Sequence, residues 1–125
     1  MPSAYPILDT LKTALAGVAG VATCKIGLEA NMSPTDYPMV RIVPSRISDG
    51  TSLARRKIEC LVYFGQPIHE LSSGLEALYA SLMSMESALL TAAIQSTSAR
   101  YIETVLDEDR VDAYKLMALR LELQG

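Results

Sequence analysis

The stretch Ala54-Arg55-Arg56-Lys57-Ile58-Glu59-Cys60-Leu61-Val62-Tyr63-Phe64 alternates with period two. Successive strand side chains point to opposite faces, so Ala54, Arg56, Ile58, Cys60, Val62 and Phe64 share one face. Arg55, Lys57, Glu59, Leu61 and Tyr63 share the other. The first face carries the apolar residues a helix layer needs for cover; the second is expected to meet solvent, a partner or both. Gly65-Gln66-Pro67 then ends the strand. From Leu71 to Ile94 the period changes: Leu71, Leu75, Leu78, Leu82, Met85 and Leu89 recur at spacings of three and four, which predicts an amphipathic helix of roughly 35 Å. Ser73 and Glu76 have the spacing of a capping box, with Gly74 awkward inside it. The other side of the helix carries Ser81, Ser84, Ser87 and Thr91, few of whose neighbours are charged. A solvated helix face usually holds more Lys and Glu, so this face is read as touching another subunit.

Upstream, Ile7, Leu8, Leu11, Leu15 and Val18 predict a first helix, with Pro6 suited to its first turn and Gly17 and Gly20 closing it. Val21–Leu28 alternates as a half-buried strand. Residues 29–38 read as a loop. Met39–Val43 reads as a short strand bracketed by Pro38 and Pro44, brief or near an edge. Asp49-Gly50 signals a hairpin whose loop is longer than two residues. Downstream, Ser96–Ala99 is a polar break, and Arg100–Leu106 and Val111–Leu123 read as two strands joined by Asp107-Glu108-Asp109. The order α-β-β-β-α-β-β predicts an α+β fold. It is a largely antiparallel or mixed sheet with two helices packed on one face, forming a single domain over residues 1–125.

Composition bounds the function. Half of the 125 residues are hydrophobic and 20% are charged, which excludes a disordered chain. Eleven basic residues against fourteen acidic ones give a net charge of −3. That argues against a protein built chiefly to grip phosphates. The longest charge-free run, Ser87–Ala99, is shorter than the about 20 apolar residues a spanning helix needs, so no membrane segment is expected. No basic region precedes the first apolar run, so no signal peptide is expected either. The apolar surplus lies in the long helix and on both faces of the strand around Leu116–Leu123, which suits a subunit finished by copies of itself.

Residue types that carry chemistry are sparse. His69 is the sole histidine and has no visible nucleophile or metal partner, so it reads as structural or exposed. Cys24 and Cys60 form no zinc or redox pattern and read as small apolar residues, neighbours at most on adjacent strands. Gly17 and Gly20 close a helix, whereas a dinucleotide-binding loop opens one. Asp107, Glu108 and Asp109 lack the calcium-loop pattern and read as a solvated tip. No catalytic residue, cofactor or metal is expected, and the chain is not read as an enzyme. The basic run Arg55, Arg56, Lys57 lies near Arg41 and Arg46. Arg41, Arg55 and Lys57 are expected to share the exposed sheet face, where they form either a candidate interface docking an acidic protein surface or nucleic acid, or a solvated face balanced by Glu59. With no aromatic interleaving, a single-strand stacking platform is not expected.

The whole layout resembles the tail terminator proteins (minor tail protein U-like) of long-tailed bacteriophages and prophages. The resemblance runs from the first helix and strand through the Asp36-Tyr37-Pro38 loop end and the Val40-Arg41-Ile42-Val43-Pro44 strand. It continues through the Asp49-Gly50 hairpin, the Arg56–Phe64 strand and the helix with Leu75-Glu76-Ala77-Leu78 to the closing Leu-Arg-Leu-Glu-Leu. It covers nearly the full chain, and none of these motifs is specific. It implies a structural virion-assembly protein without catalytic residues. Such proteins form a hexameric ring on the tail tube, stop its polymerisation and offer a surface to head or neck proteins. DNA passes through the lumen without sequence-specific binding, and the ring resides in the virion tail or neck after assembly in the host cytoplasm. Two alternatives remain: another head–tail connector or tail-completion protein, and a dimeric α+β-barrel (ferredoxin-like) ligand-binding domain.

Overall fold

A computed structural model describes residues 3–27, 39–49, 56–67, 75–111 and 114–124. The elements are α1 (Tyr5–Ala16), β1 (Thr23–Ile26), β2 (Met39–Asp49), β3 (Arg56–Pro67), α2 (Leu75–Ser96), β4 (Arg100–Val111) and β5 (Tyr114–Gln124). This is the α+β order expected from the sequence. The strands form one mixed sheet in the order β1-β2-β3-β5-β4. β1 runs parallel to β2, and every other pairing is antiparallel. Parallel neighbours need a crossover of about a dozen residues, and the twelve positions 27–38 between β1 and β2 supply that length. Gly27 begins this departure with φ +93°, which a side chain would resist, while its N–H donates to the Ile42 carbonyl at 2.8 Å. The element order also differs from the β-α-β-β-α-β order of ferredoxin-like domains.

Period two on the strands and period 3.6 on the helices meet in one core. Ile58, Cys60, Val62 and Phe64 of β3 are fully buried, as are Val40 and Ile42 of β2 and Met117, Leu119, Leu121 and Leu123 of β5. Leu8, Leu11 and Leu15 of α1 and Leu78, Leu82, Leu89 and Ala93 of α2 cover them from a single side. The helix layer therefore lies where the alternation of 54–64 put it. Ala54, Arg55 and the segments 29–38, 50–55 and 68–74 lie outside the described residues.

Three expectations change. β2 is 11 residues long and runs through Pro44. β1 flanks β2 only as far as Ile42, so beyond that point no described strand pairs with that side of β2, and a missing N–H costs little there. The register shifts between Pro44 and Arg46, and Ser45 Oγ donates to the Glu59 carbonyl at 3.0 Å inside that bulge. β3 likewise continues through Gly65 and Gln66 to Pro67, pairing them with Leu116, Lys115 and Tyr114. β4 extends to Val111, so Asp107, Glu108 and Asp109 belong to the strand and not to the turn. The register between β4 and β5 shifts between Val105 and Asp109. Such an irregularity lets a strand carry residues of poor β-propensity.

The fourth change concerns α2. It is 22 residues long, and its stretch Glu76–Ser96 is long and apolar enough to cross a membrane, by length and composition alone. Charge-free runs undercount it because Glu76 and Glu86 interrupt the run without making the helix polar. Here the helix lies on the sheet by one stripe, and only 22% of its most apolar window is buried.

Candidate functional site

The expected basic patch does not assemble as the sequence suggested. Arg41 stands opposite Tyr63, whereas Lys57 stands opposite Ser48. Tyr63 and Lys57 are six positions apart on β3, about 20 Å at strand rise, so the two cations lie at different ends of the sheet. Arg41 is also 1% exposed. It shares a row on the face away from the helices with Tyr63, Ala118 and Val105, and Ala118 in that row is fully buried too. A charge this deep serves the fold's own packing. Arg55 lies outside the described residues. Lys57 remains at the surface with a partner: its Nζ is 3.7 Å from Glu122 Oε2.

The cysteines do not pair either. Cys24 on β1 stands opposite Val40, and Cys60 on β3 stands opposite Pro44, so β2 separates them. Both are free thiols. Burial pushes the Cys60 thiol up to about 12. Burial also raises Cys24, against the opposing pull of the Lys12 and Arg41 charges. Cys24 Sγ donates to the Lys12 carbonyl at 3.7 Å and so ties β1 to α1. A thiol held protonated is a poor nucleophile and a poor metal ligand, which leaves both residues as core filling. His69 lies outside the described residues. Among the described residues no group of three or more His, Cys, Asp or Glu side chains is placed to hold a metal ion.

Two surface features emerge from the fold. The first is the outer side of α2. At about 100° per residue, Ala80, Ser84, Ser87 and Thr91 point directly away from the Leu78–Leu82–Leu89–Ala93 stripe, and all four are exposed. Met83 and Ile94 flank them at 49% and 50% exposure. Glu86 accepts a hydrogen bond from Thr104 Oγ1 at 2.8 Å, and Thr104 Oγ1 is itself 2.8 Å from Tyr101 Oη. This chain of contacts pins α2 to edge strand β4 and fixes which side of the helix faces outward.

The second is a cavity of about 480 Å³ at the end of the sheet where β3 begins and β5 ends. Pro6, Ile7 and Thr10 of α1, Arg56 of β3, and Thr97 and Ser98 beyond α2 line it. Thr97 Oγ1 donates to the Ala93 carbonyl at 2.6 Å and closes α2, while Ser98 Oγ accepts from the Gln124 N–H at 3.0 Å. Those bonds fix the wall between α2 and β5. At the same end but on the sheet face away from the helices, Glu122 lies between two cations, with Lys57 Nζ and Arg100 Nε each 3.7 Å from one of its oxygens. Sequence reading missed this site because its walls come from four elements. Arg56 was the one lining residue that a charge pattern had already singled out.

No family model matches the sequence, and no curated protein matches it either.

Proposed function

We propose that this chain is a structural, non-enzymatic subunit of a long-tailed phage or prophage, a tail terminator that caps the tail tube as a hexameric ring and joins it to the head. The observation that carries the reading is the exposed side of α2. A 22-residue helix whose most apolar window is only 22% buried shows water a stripe of small residues flanked by Met83 and Ile94. An uncharged helix side of small residues with two large apolar side chains exposed on it is the kind of surface on which something else docks. Small residues let a neighbouring helix approach closely, and a ring contact of this kind joins one patch to a different patch on the next copy. The α-β-β-β-α-β-β order along nearly the full chain supports the same reading through its resemblance to tail terminators. Partners on this reading are further copies of the chain, the tail tube protein and head or neck proteins. Tail DNA passes through the lumen past subunits of net negative charge. A head–tail connector or tail-completion protein would use the same surfaces at a neighbouring level of the neck.

The test is direct. Purified protein mixed with assembled tail tubes should appear in negative-stain images as a ring with a central hole at one tube end, and should halt tube growth in a polymerisation assay. Tubes that elongate unchecked, with no density at their ends, would refute the reading.

A further inference from the structure

By residue type the cavity beside the first turns of α1 has a polar wall: six of its eight described lining residues are Ser, Thr, Arg or Gln. Their hydrogen bonds change that character. Thr10 Oγ1 donates back to the Pro6 carbonyl at 2.9 Å, and Thr97 Oγ1 donates back to the Ala93 carbonyl at 2.6 Å. A hydroxyl turned onto its own helix leaves the methyl group as the free end of the side chain. Ser98 Oγ donates to the Gln124 carbonyl at 2.5 Å and accepts from the Gln124 N–H at 3.0 Å. Ser3 Oγ accepts from the Tyr5 N–H at 3.2 Å, and the Ile7 N–H donates to the Ala4 carbonyl at 3.1 Å, so the start of α1 is closed as well. A guest therefore meets apolar surface from Pro6, Ile7 and two threonine methyls. The donors at the wall are the Ser3 hydroxyl and the guanidinium of Arg56, which carries several N–H groups and keeps some for a guest whatever its other contacts.

The hollow is open and has a floor. Ser3, Thr10 and Ser98 are exposed, whereas Ile7, Arg56 and Thr97 are half-buried. The two alanines of the buried core cluster, Ala4 and Ala93, precede Pro6 and Thr97 by two and four positions, and small side chains at both places thin the helix layer here. The volume of about 480 Å³ falls within the range of pockets that hold small molecules. Arg56 is the only charged residue in the described lining. Its register partner on β2 is Asp49, so the cation stands next to an acid on the neighbouring strand, and a guest need not bring a charge of its own.

We propose that this cavity is a binding site for a small uncharged molecule, an apolar body of one or two rings carrying a single hydrogen-bond acceptor such as a ketone oxygen. The rings fill the space against Pro6, Ile7 and the threonine methyls, and the oxygen accepts from Arg56. A purely apolar guest would strip water from the guanidinium and replace it with nothing, which is costly; the acceptor removes that cost. The site lies within one subunit and is independent of ring assembly.

The probe is prodan, an uncharged naphthyl ketone whose emission moves to the blue in apolar surroundings. Its titration with the native chain should saturate at one molecule per chain. In amide NMR spectra the shifts should concentrate on residues 3–10, 56–57 and 97–99. Thr10→Trp places a large side chain at an exposed position of the rim and should weaken binding at least tenfold while leaving thermal unfolding unchanged. Arg56→Met keeps the stem and removes the donors. It should weaken prodan about tenfold and leave the same dimethylaminonaphthalene without its ketone bound as before. No saturable binding, or amide shifts that follow the outer side of α2 instead, overturns the site. So does native-strength binding in a folded Thr10→Trp; if that variant unfolds, the amide map of the native chain decides alone. An equal response of both naphthalenes to Arg56→Met overturns the role of Arg56. Anilinonaphthalene sulfonate binding tenfold tighter than prodan at the same amides overturns the uncharged class of ligand.

Discussion

Ser87→Arg separates what α2 does for its own subunit from what it does for a neighbour. Ser87 is exposed and lies about 160° around the helix from fully buried Leu89. In the isolated subunit the new side chain extends into water, and a surface change of this kind stays within about 0.5 kcal/mol of neutral. In an assembled ring the same guanidinium enters a contact built for small residues and finds no counter-charge among Ala80, Ser84 and Thr91. An uncompensated charge in a buried contact costs about 3 kcal/mol, which raises the dissociation constant roughly 100-fold. Sedimentation velocity across a concentration series reads the association, and thermal unfolding of the dilute subunit reads the fold. Ser87→Ala, which keeps the face small, should change neither. An unchanged association constant in Ser87→Arg, with the protein folded, would remove the outer side of α2 from the assembly and leave its low burial without a purpose.

Further outcomes follow from the core and from the charges. Leu82 is fully buried and Met83 is 49% exposed. Leu82→Ala should cost about 3 kcal/mol, a fall in Tm of roughly 11 °C for 125 residues at about 2.1 cal/mol/K of unfolding entropy each. Met83→Ala should shift Tm by less than about 2 °C; equal shifts would mean α2 is rotated from the placement described. Glu122→Gln leaves Lys57 and Arg100 without their shared carboxylate and should destabilise by about 1 kcal/mol at low salt, less as salt rises. Urea unfolding at two ionic strengths checks it, and a salt-independent effect would rule out the electrostatic account. Cys60 sets a limit at high pH. Its folded thiol titrates near 12, above the about 8.5 of an unfolded cysteine. The unfolded chain therefore loses that proton first, and stability present below about pH 8.5 falls as pH rises toward 12, by at most about 1.4 kcal/mol per unit. Unfolding free energies between pH 7 and 10.5 should fall more steeply for the native chain than for Cys60→Ala; parallel slopes would refute the assignment.

Much of this fold was legible because local periodicity and burial agree. The alternation of 56–64 named the core face of β3 correctly, since Ile58, Cys60, Val62 and Phe64 are all fully buried. The spacing of Leu78, Leu82 and Leu89 named the inner side of α2. Legibility failed at strand ends: the first strand, read as Val21–Leu28, is only Thr23–Ile26, and three others run on past an expected stop. Pro44, Gly65 and the acids 107–109 each looked like a stop, and in each case the strand continued. Those residues weaken a strand through propensity or a lost hydrogen bond, worth about 1 kcal/mol each. A long antiparallel partner outweighs that. β3 holds ten register pairs with β2 and eleven with β5, so a locally poor residue is carried by the ladder, with a bulge where it fits least well. Nothing local in a sequence announces that its neighbours will pay such a debt.

The candidate surfaces were less legible for a related reason: charge patches are defined by register, which sequence distance does not give. Arg41 and Lys57 look like neighbours across a hairpin, and a simple turn at Asp49-Gly50 pairs Arg41 with a residue near them. The observed hairpin closes as Asp49 opposite Arg56 and pairs Arg41 with Tyr63. Two cations expected side by side are thereby sent to opposite ends of the sheet, one into the interior and one to the surface beside Glu122. The same register brings in Arg100 and Glu122, which sequence places 43 and 65 positions from Lys57. Strand parity divides the charges a second time. Arg56 and Lys57 are neighbours in sequence, yet Arg56 lines the cavity on the helix side while Lys57 meets Glu122 on the other face. A run of cations in a strand is therefore never one patch: register decides which end each charge reaches, and alternation decides which face.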